Sequence, residues 1–328
     1  MSYPQQKRPP AAPSNGRASK HARAITLAEL DALHPSFRDH ARYVLNHSTL
    51  TVRSYAAAYA NFRRFLRETP SGALPLLDRL QDLDSWVAWN RKRGVAAVTA
   101  NSYWRALRPF FHYLEKTQGI ENPYHGAHTP PIPKHRLPKA LKPEQLERVL
   151  AAARHYPWTT TLQRERATAV IAIMLYAGLR KGEVLRLQFA DVNLADGSIR
   201  IVAGKGRFGG KDRTVYMPVE LRAILTRYLA VRRHLHFTCP EFFVTRGNRG
   251  LSEMQFRRTV RQVRDAAGVP FFAHALRHSY ITMLLRSRVP IHVVQALAGH
   301  ADITTTALYS AVWDEDKRAA VQRLRLRR

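Results

Sequence analysis

The chain has 328 residues, with 53 Lys or Arg against 24 Asp or Glu, a formal charge of +29, and 45% hydrophobic residues. That length can bury a substantial core and makes two domains the natural expectation, while a single cysteine, Cys239, excludes an internal disulfide and an all-cysteine metal site. A charge this positive calls for a polyanionic partner, nucleic acid first; its spread along the whole chain does not fit one amphipathic helix on a membrane surface.

Residues 1–25 read as a disordered basic tail, rich in Pro, Ser, Gly and Gln and without an acid, and unlike a signal peptide. Thr26-Leu27-Ala28-Glu29 is a capping box that opens a short helix, expected to end at Pro35, with a second helical stretch to about Leu45. Val52, Tyr55, Tyr59, Phe62 and Leu66 step by three and four and form one apolar stripe of a helix. Arg53, Arg63, Arg64 and Arg67 lie off that stripe and are candidate phosphate contacts, with ordinary solvated charge as the competing reading. A helix over 84–93 stops at Gly94. Another over 99–116 buries Tyr103, Leu107, Phe110 and Leu114, with a bend expected at Pro109. Residues 26–121 thus form a helical domain. Residues 122–138 carry five prolines and no helical or strand period, so they read as a stiff linker whose Lys134 and Arg136 are suited to follow a DNA backbone.

The second domain, 139–313, opens on a helix with Pro143 in its first turn. Residues 164–176 form an apolar, buried helix capped by Gly178, and the apolar run 167–179 is too short to span a bilayer, which leaves a soluble, cytoplasmic protein as the expectation. Arg180 begins the next short helix, with Glu183 one turn away. Residues 198–202 and 213–217 alternate as strands around a Gly-rich loop, Gly204-Lys205-Gly206-Arg207-Phe208-Gly209-Gly210-Lys211, which lacks the spacing of a P-loop. Helices follow over 219–235, 253–267, 274–286, 291–297 and 303–309. A last helix within 314–328 begins with acids and ends with bases.

His274 and Arg277 share a helix face, His300 follows Gly299, and Tyr309 comes nine residues after His300. With Arg180, this set has two arginines, two histidines and a tyrosine, and no carboxylate pair. It suits attack by a phenol on a phosphodiester. Planar guanidinium groups bind the charged oxygens in a fork; a phenol, with an ordinary pKa of about 10, is a poor nucleophile at neutral pH, and cations nearby favour its anion. The departing 5′ oxygen needs a proton, which a lysine at the hairpin tip can supply. Lys205 is the candidate, and Lys211 on the same loop is the alternative. His274 and His278 stand four apart like a metal pair, but Ala275 replaces the Glu of a His-Glu-x-x-His site, so no metal is expected.

Ala177-Gly178-Leu179-Arg180-x-x-Glu183, the Gly-Lys205-Gly hairpin, His274-x-x-Arg277-His278-Ser279, Gly299-His300 and Tyr309 occur in the order found in tyrosine recombinases of the phage integrase family, and the chain resembles their Xer-type members in layout. The resemblance implies a mainly α fold: a helical, SAM-like core-binding domain, then a mostly helical catalytic domain with a small β-hairpin. It implies that Arg180 and Arg277 clamp the scissile phosphate, Lys205 is the general acid, His274 and His300 flank the site, and Tyr309 is the nucleophile. The implied product is a 3′-phosphotyrosyl bond with a free 5′-OH, which conserves the bond energy and needs no cofactor. The implied partners are double-stranded DNA with paired recombination sites, a tetramer of this chain or a paired recombinase, and accessory proteins, with residues 314–328 exchanged between subunits. A monomeric type IB topoisomerase uses the same chemistry and is the alternative. A DNA-binding protein with a decayed site, or a metal-dependent nuclease, fits less well, since the set is complete and clustered Asp/Glu are missing. In place of the small arm-binding β-domain of many phage integrases stands the basic tail.

Overall fold

A computed structural model describes residues 25–69, 83–125, 127, 129–130, 140–202 and 212–299. The chain divides into two compact units, Met1–His135 and Arg136–Arg328. Both are mainly helical, as expected, and the described residues include one three-stranded sheet. Among them no helix is long and apolar enough to cross a membrane.

The first unit opens on the expected capping box. Thr26 Oγ1 accepts the Glu29 amide at 3.2 Å and Glu29 Oε2 accepts the Thr26 amide at 2.7 Å, satisfying donors that a helix start leaves open. Helix α1 (Leu27–Asp39) does not end at Pro35 as the sequence predicts. The exposed proline sits inside the helix, which continues into a π turn, His40–Val44. An internal proline costs about 3 kcal/mol. Leu30 and Phe37, both buried, outweigh that, because burying each contributes about 1.5–3 kcal/mol.

Helix α2 (Thr49–Glu68) buries Val52, Tyr59, Phe62 and Leu66 from the expected stripe and adds Phe65, while Tyr55 is half-buried. Helices α3 (Leu83–Lys92) and α4 (Ala97–Gln118) complete the unit, and α4 carries Pro109 in its interior without interruption. Trp104 and Phe111 join Leu107, Phe110 and Leu114 on the buried face of α4, leaving Tyr103 at its edge. Phe62 meets Trp86 edge-on at 5.1 Å and Phe111 at 5.8 Å. Trp86 Nε1 donates to Asn61 Oδ1 at 2.8 Å, and the Asn61 and Asn90 side chains exchange bonds of 3.0 and 3.1 Å, so the polar groups between α2 and α3 are paired. The first residues of the stretch read as a linker pack on this unit. Tyr124 is buried with its hydroxyl on the Trp104 carbonyl at 2.8 Å, and Asn101 Nδ2 donates to the Pro130 carbonyl at 2.8 Å.

The second unit is built around α6 (Thr161–Tyr176), which is buried on almost every side from Ala167 to Leu175, the mark of a helix that is apolar all round. Helix α5 (Pro143–His155), with Pro143 at its first position, packs on α6, as do α7 (Lys181–Arg186), α8 (Val219–His234), α9 (Glu253–Ala267) and α10 (Ala273–Arg286). Helix α11 (Ile291–Ala298) packs on α10. Strand β2 (Ser198–Ile201) pairs antiparallel with β3 (Arg213–Tyr216) in the register Ile199 to Val215, and on its other edge with β1 (Val192–Asn193), a strand too short to leave a period in the sequence. Ile199, Ile201 and Val215 anchor the sheet in the core.

Candidate active site

Three of the expected catalytic residues come together in the second unit: Arg180, His274 and Arg277. Gly178, just beyond α6, has φ +65, and a Cβ there would lie 2.3 Å from Tyr280 Cδ1. Glycine is needed both for the left-handed backbone and for the close approach of the Tyr280 ring. Two residues on, Arg180 precedes α7. Its amide donates to Glu183 Oε2 at 2.7 Å and its Nη1 to Glu183 Oε1 at 2.9 Å. Arg180 and Glu183 thus form an ion pair, and it has a third member.

That member is Arg213, at the start of β3, a residue with no sequence motif to mark it. Its Nη1 and Nη2 donate to the two Glu183 oxygens at 2.9 Å each, and its Nε donates to the Leu297 carbonyl at 2.9 Å. Burial alone would raise the Glu183 pKa, but the Arg213 hydrogen bonds and charge, with the Arg180 amide and charge, bring it down to about 2. Glu183 is thus ionised at neutral pH and fixes two guanidinium groups.

The arginines also meet the end of α11. Leu297, Ala298 and Gly299 offer three successive carbonyls that a helix C-terminus leaves without intrahelical donors. Arg213 Nε binds the first, Arg277 Nη2 the second, and Arg180 Nη2 the third, the last at 2.8 Å. The negative end of the helix dipole suits this cationic cluster. Arg277 is buried and donates its other Nη to the Gly178 carbonyl, so the segments holding Gly178 and Gly299 are joined through one side chain. The Arg180 side chain keeps 36% of its surface exposed, which leaves it the more accessible of the two expected phosphate ligands.

His274 lies in the first turn of α10, one turn before Arg277. Burial, then the positive charges of Arg277 and Arg180, lower its pKa, so the imidazole is neutral at neutral pH. His278 packs edge-on against it with ring centroids 4.3 Å apart, and burial followed by the His274 and Arg277 charges lowers the His278 pKa to about 4. Ser279 is structural: its Oγ accepts the Leu141 amide at 2.9 Å and donates to the Ala275 carbonyl, tying α10 to the start of the unit. Among the described residues no group of three or more His, Cys, Asp or Glu is placed to hold a metal ion.

Lys205, Lys211, His300 and Tyr309 lie outside the described residues, as do Lys134 and Arg136. In the first unit Arg53 is exposed on α2. Arg63 pairs with Asp31 at 2.8 Å, Arg64 with Glu68 at 2.6 Å, and Arg67 stands 4.0 Å from Asp31. Solvent screens pairs as exposed as these, so they add little stability and a phosphate can displace the carboxylate.

Residues 139–316 match the model of the phage integrase family, and residues 36–118 match that of the phage integrase N-terminal SAM-like domain. The tyrosine recombinase XerC of Rhodospirillum centenum is 32% identical over 276 residues, 81% of this chain and 78% of the relative. The tyrosine recombinase XerD of Ralstonia nicotianae is 32% identical over 268 residues, 80% of this chain and 84% of the relative. Among solved structures, the fold is similar to the XerH site-specific recombinase bound to its difH substrate before cleavage, with a TM-score of 0.67, 23% identity, and coverage of 91% of this chain and 85% of that one. It is likewise similar to the Tn1549 transposon integrase in complex with circular intermediate DNA, with a TM-score of 0.68, 19% identity, and coverage of 92% and 100%. These matches take in both units and the whole run of motifs from Arg180 to Tyr309, and by them the chain belongs to the phage integrase family and is a tyrosine-type site-specific DNA recombinase.

Proposed function

We propose that the chain cleaves and rejoins DNA at paired sites through Tyr309, as a tetramer on two duplexes. Arg180 and Arg277 bind the non-bridging oxygens of the scissile phosphate and stabilise the charge that builds as the phenol attacks. The Tyr309 proton passes to neutral His274, the new bond joins the tyrosine oxygen to phosphorus, and the bond to the 5′ oxygen breaks. Lys205 protonates that oxygen, and His300 donates to the phosphate from the other side. A 5′-OH of the partner duplex then reverses the steps, so no external energy enters. Arg53, Arg63, Arg64 and Arg67, with Lys134 and Arg136 between the domains, hold the flanking phosphates. Residues 26–121 form the core-binding domain, 122–138 the linker, 139–313 the catalytic domain, and 314–328 a helix that docks on the neighbouring subunit.

The observation that carries this reading is the pair Arg180 and Arg277, fixed within one cluster beside a neutral His274 and against the helix end that leads directly into His300. The test uses the site that the protein selects from a random-sequence duplex pool, placed on a labelled and an unlabelled duplex. Wild type should yield strand-exchanged products. Protein cut after Trp313 should still bind one site yet fail to pair two duplexes. Nicking and closing of single duplexes without any exchange would instead make the chain a monomeric topoisomerase.

A further inference from the structure

Arg213 touches two segments that each lead to an expected catalytic group, those of Glu183 and Leu297. It starts β3, two residues after Lys211 in the sequence. Through Glu183 it braces Arg180, and through the Leu297 carbonyl it holds the end of α11 three residues before His300. All three guanidinium nitrogens are used, and only 8% of the side chain is exposed. Gly299, the residue before His300, has φ +62, and a Cβ there would lie 2.8 Å from Arg213 Nη1, so any other residue would be strained and would crowd the guanidinium. A lysine would keep the charge but has one nitrogen, which cannot bridge both carboxylate oxygens and a carbonyl.

We infer that Arg213 is a positioning residue for strand cleavage: by holding Glu183 and the Leu297 carbonyl together, it aims Arg180 at the scissile phosphate. This rests on the proposed role of Arg180. Arg180 reaches the Gly299 carbonyl and Glu183 with different nitrogens, so its direction depends on where both partners stand, and Arg213 determines both. Misplacing a charge-stabilising group by about 1 Å costs about 10²-fold in rate.

The test is single-turnover cleavage of a nicked duplex carrying the site selected from a random pool, made once with the natural phosphodiester and once with a methylphosphonate at the scissile position. The methyl group removes the charge that Arg180 serves, so a defect acting through Arg180 shrinks on that substrate. Arg213→Lys should bind DNA as wild type does and cleave the phosphodiester about 10²-fold more slowly. Its deficit should fall to within roughly tenfold on the methylphosphonate, as should that of Arg180→Met. Adding Glu183→Gln to Arg213→Lys should slow cleavage by less than the product of the two single defects, because both act on Arg180 through Glu183. If Arg213→Lys does not fold, the charge-neutral pair Arg213→Gln with Glu183→Gln takes its place and the same ratio is read. An equal deficit on both substrates would reduce Arg213 to a structural contact, and a wild-type rate would remove the role altogether. Failure of the wild-type protein to form any adduct would instead overturn the assignment of the site, and this inference with it.

Discussion

Gly178→Ala isolates the contact on which Arg277 and the start of the Arg180 segment depend. The substitution has two costs, and they can be separated. An alanine held at φ +65 is in the left-handed region, which costs an L-residue about 1–2 kcal/mol. Its Cβ would also lie 2.3 and 2.5 Å from two carbons of the buried Tyr280 ring, and forcing extra volume into a packed site costs about 1–3 kcal/mol. The sum is about 2–5 kcal/mol. Urea unfolding with hydrogen exchange read at the amides of α6 and α10 reports it for the second unit alone. In a Tyr280→Ala background the steric part disappears, so the same substitution should cost only about 1–2 kcal/mol there. Equal costs in the two backgrounds, or a cost below about 1 kcal/mol in the wild type, would refute the close approach of ring and backbone.

Acid should weaken each unit through a buried histidine. His34, stacked on Tyr59 with its Nε2 buried and unpartnered, has its pKa lowered by burial and then by Arg38 to about 4, as His278 does in the second unit. The unfolded chain takes up protons near the ordinary value of about 6.5 while the folded one refuses them, so this stability is complete above about pH 6.5 and is lost as pH falls toward 4. Between about pH 7 and 5 the loss comes to roughly 2 kcal/mol per histidine, and His34→Leu should flatten that slope in the first unit's transition and leave the second's unchanged. Cleavage by Lys205→Ala should recover on DNA whose leaving 5′ oxygen is sulfur, because a thiolate departs without a proton; recovery by Lys211→Ala instead would move the general acid to Lys211. Affinity for the selected site should fall by roughly 10³-fold or more between about 50 and 200 mM salt if six or more phosphates are engaged, and a flat response would assign the +29 charge to something other than DNA.

The parts of the site legible in the sequence were those whose local backbone has a signature. A glycine after an apolar helix announced the cap before Arg180, and the spacing of three placed His274 and Arg277 on one face. Arg213 was not legible, since in an alternating strand it reads as one more outward basic residue. Only the fold brings Glu183 and Leu297, distant in sequence, to either side of it. The helical first unit was legible through its aromatic stripes. Pro35 stays inside α1 because the burial of Leu30 and Phe37 on the same helix outweighs proline's local backbone preference, and that burial leaves no mark at Pro35 itself. Strand β1 is two residues long and is defined by its partner β2, not by any pattern of its own.

The central claim is that Tyr309 carries the DNA through a 3′-phosphate, and the direct measurement is the chemistry of the link itself. The protein is trapped on a nicked duplex bearing its selected site, the DNA is digested to a nucleotide stub, and the attached peptide is sequenced by tandem mass spectrometry. The account predicts a nucleotide joined by its 3′-phosphate to Tyr309, a free 5′-OH on the released strand, and no adduct from Tyr309→Phe, which still binds the duplex. A stub on any other residue, or a 5′-phosphate linkage, would contradict it.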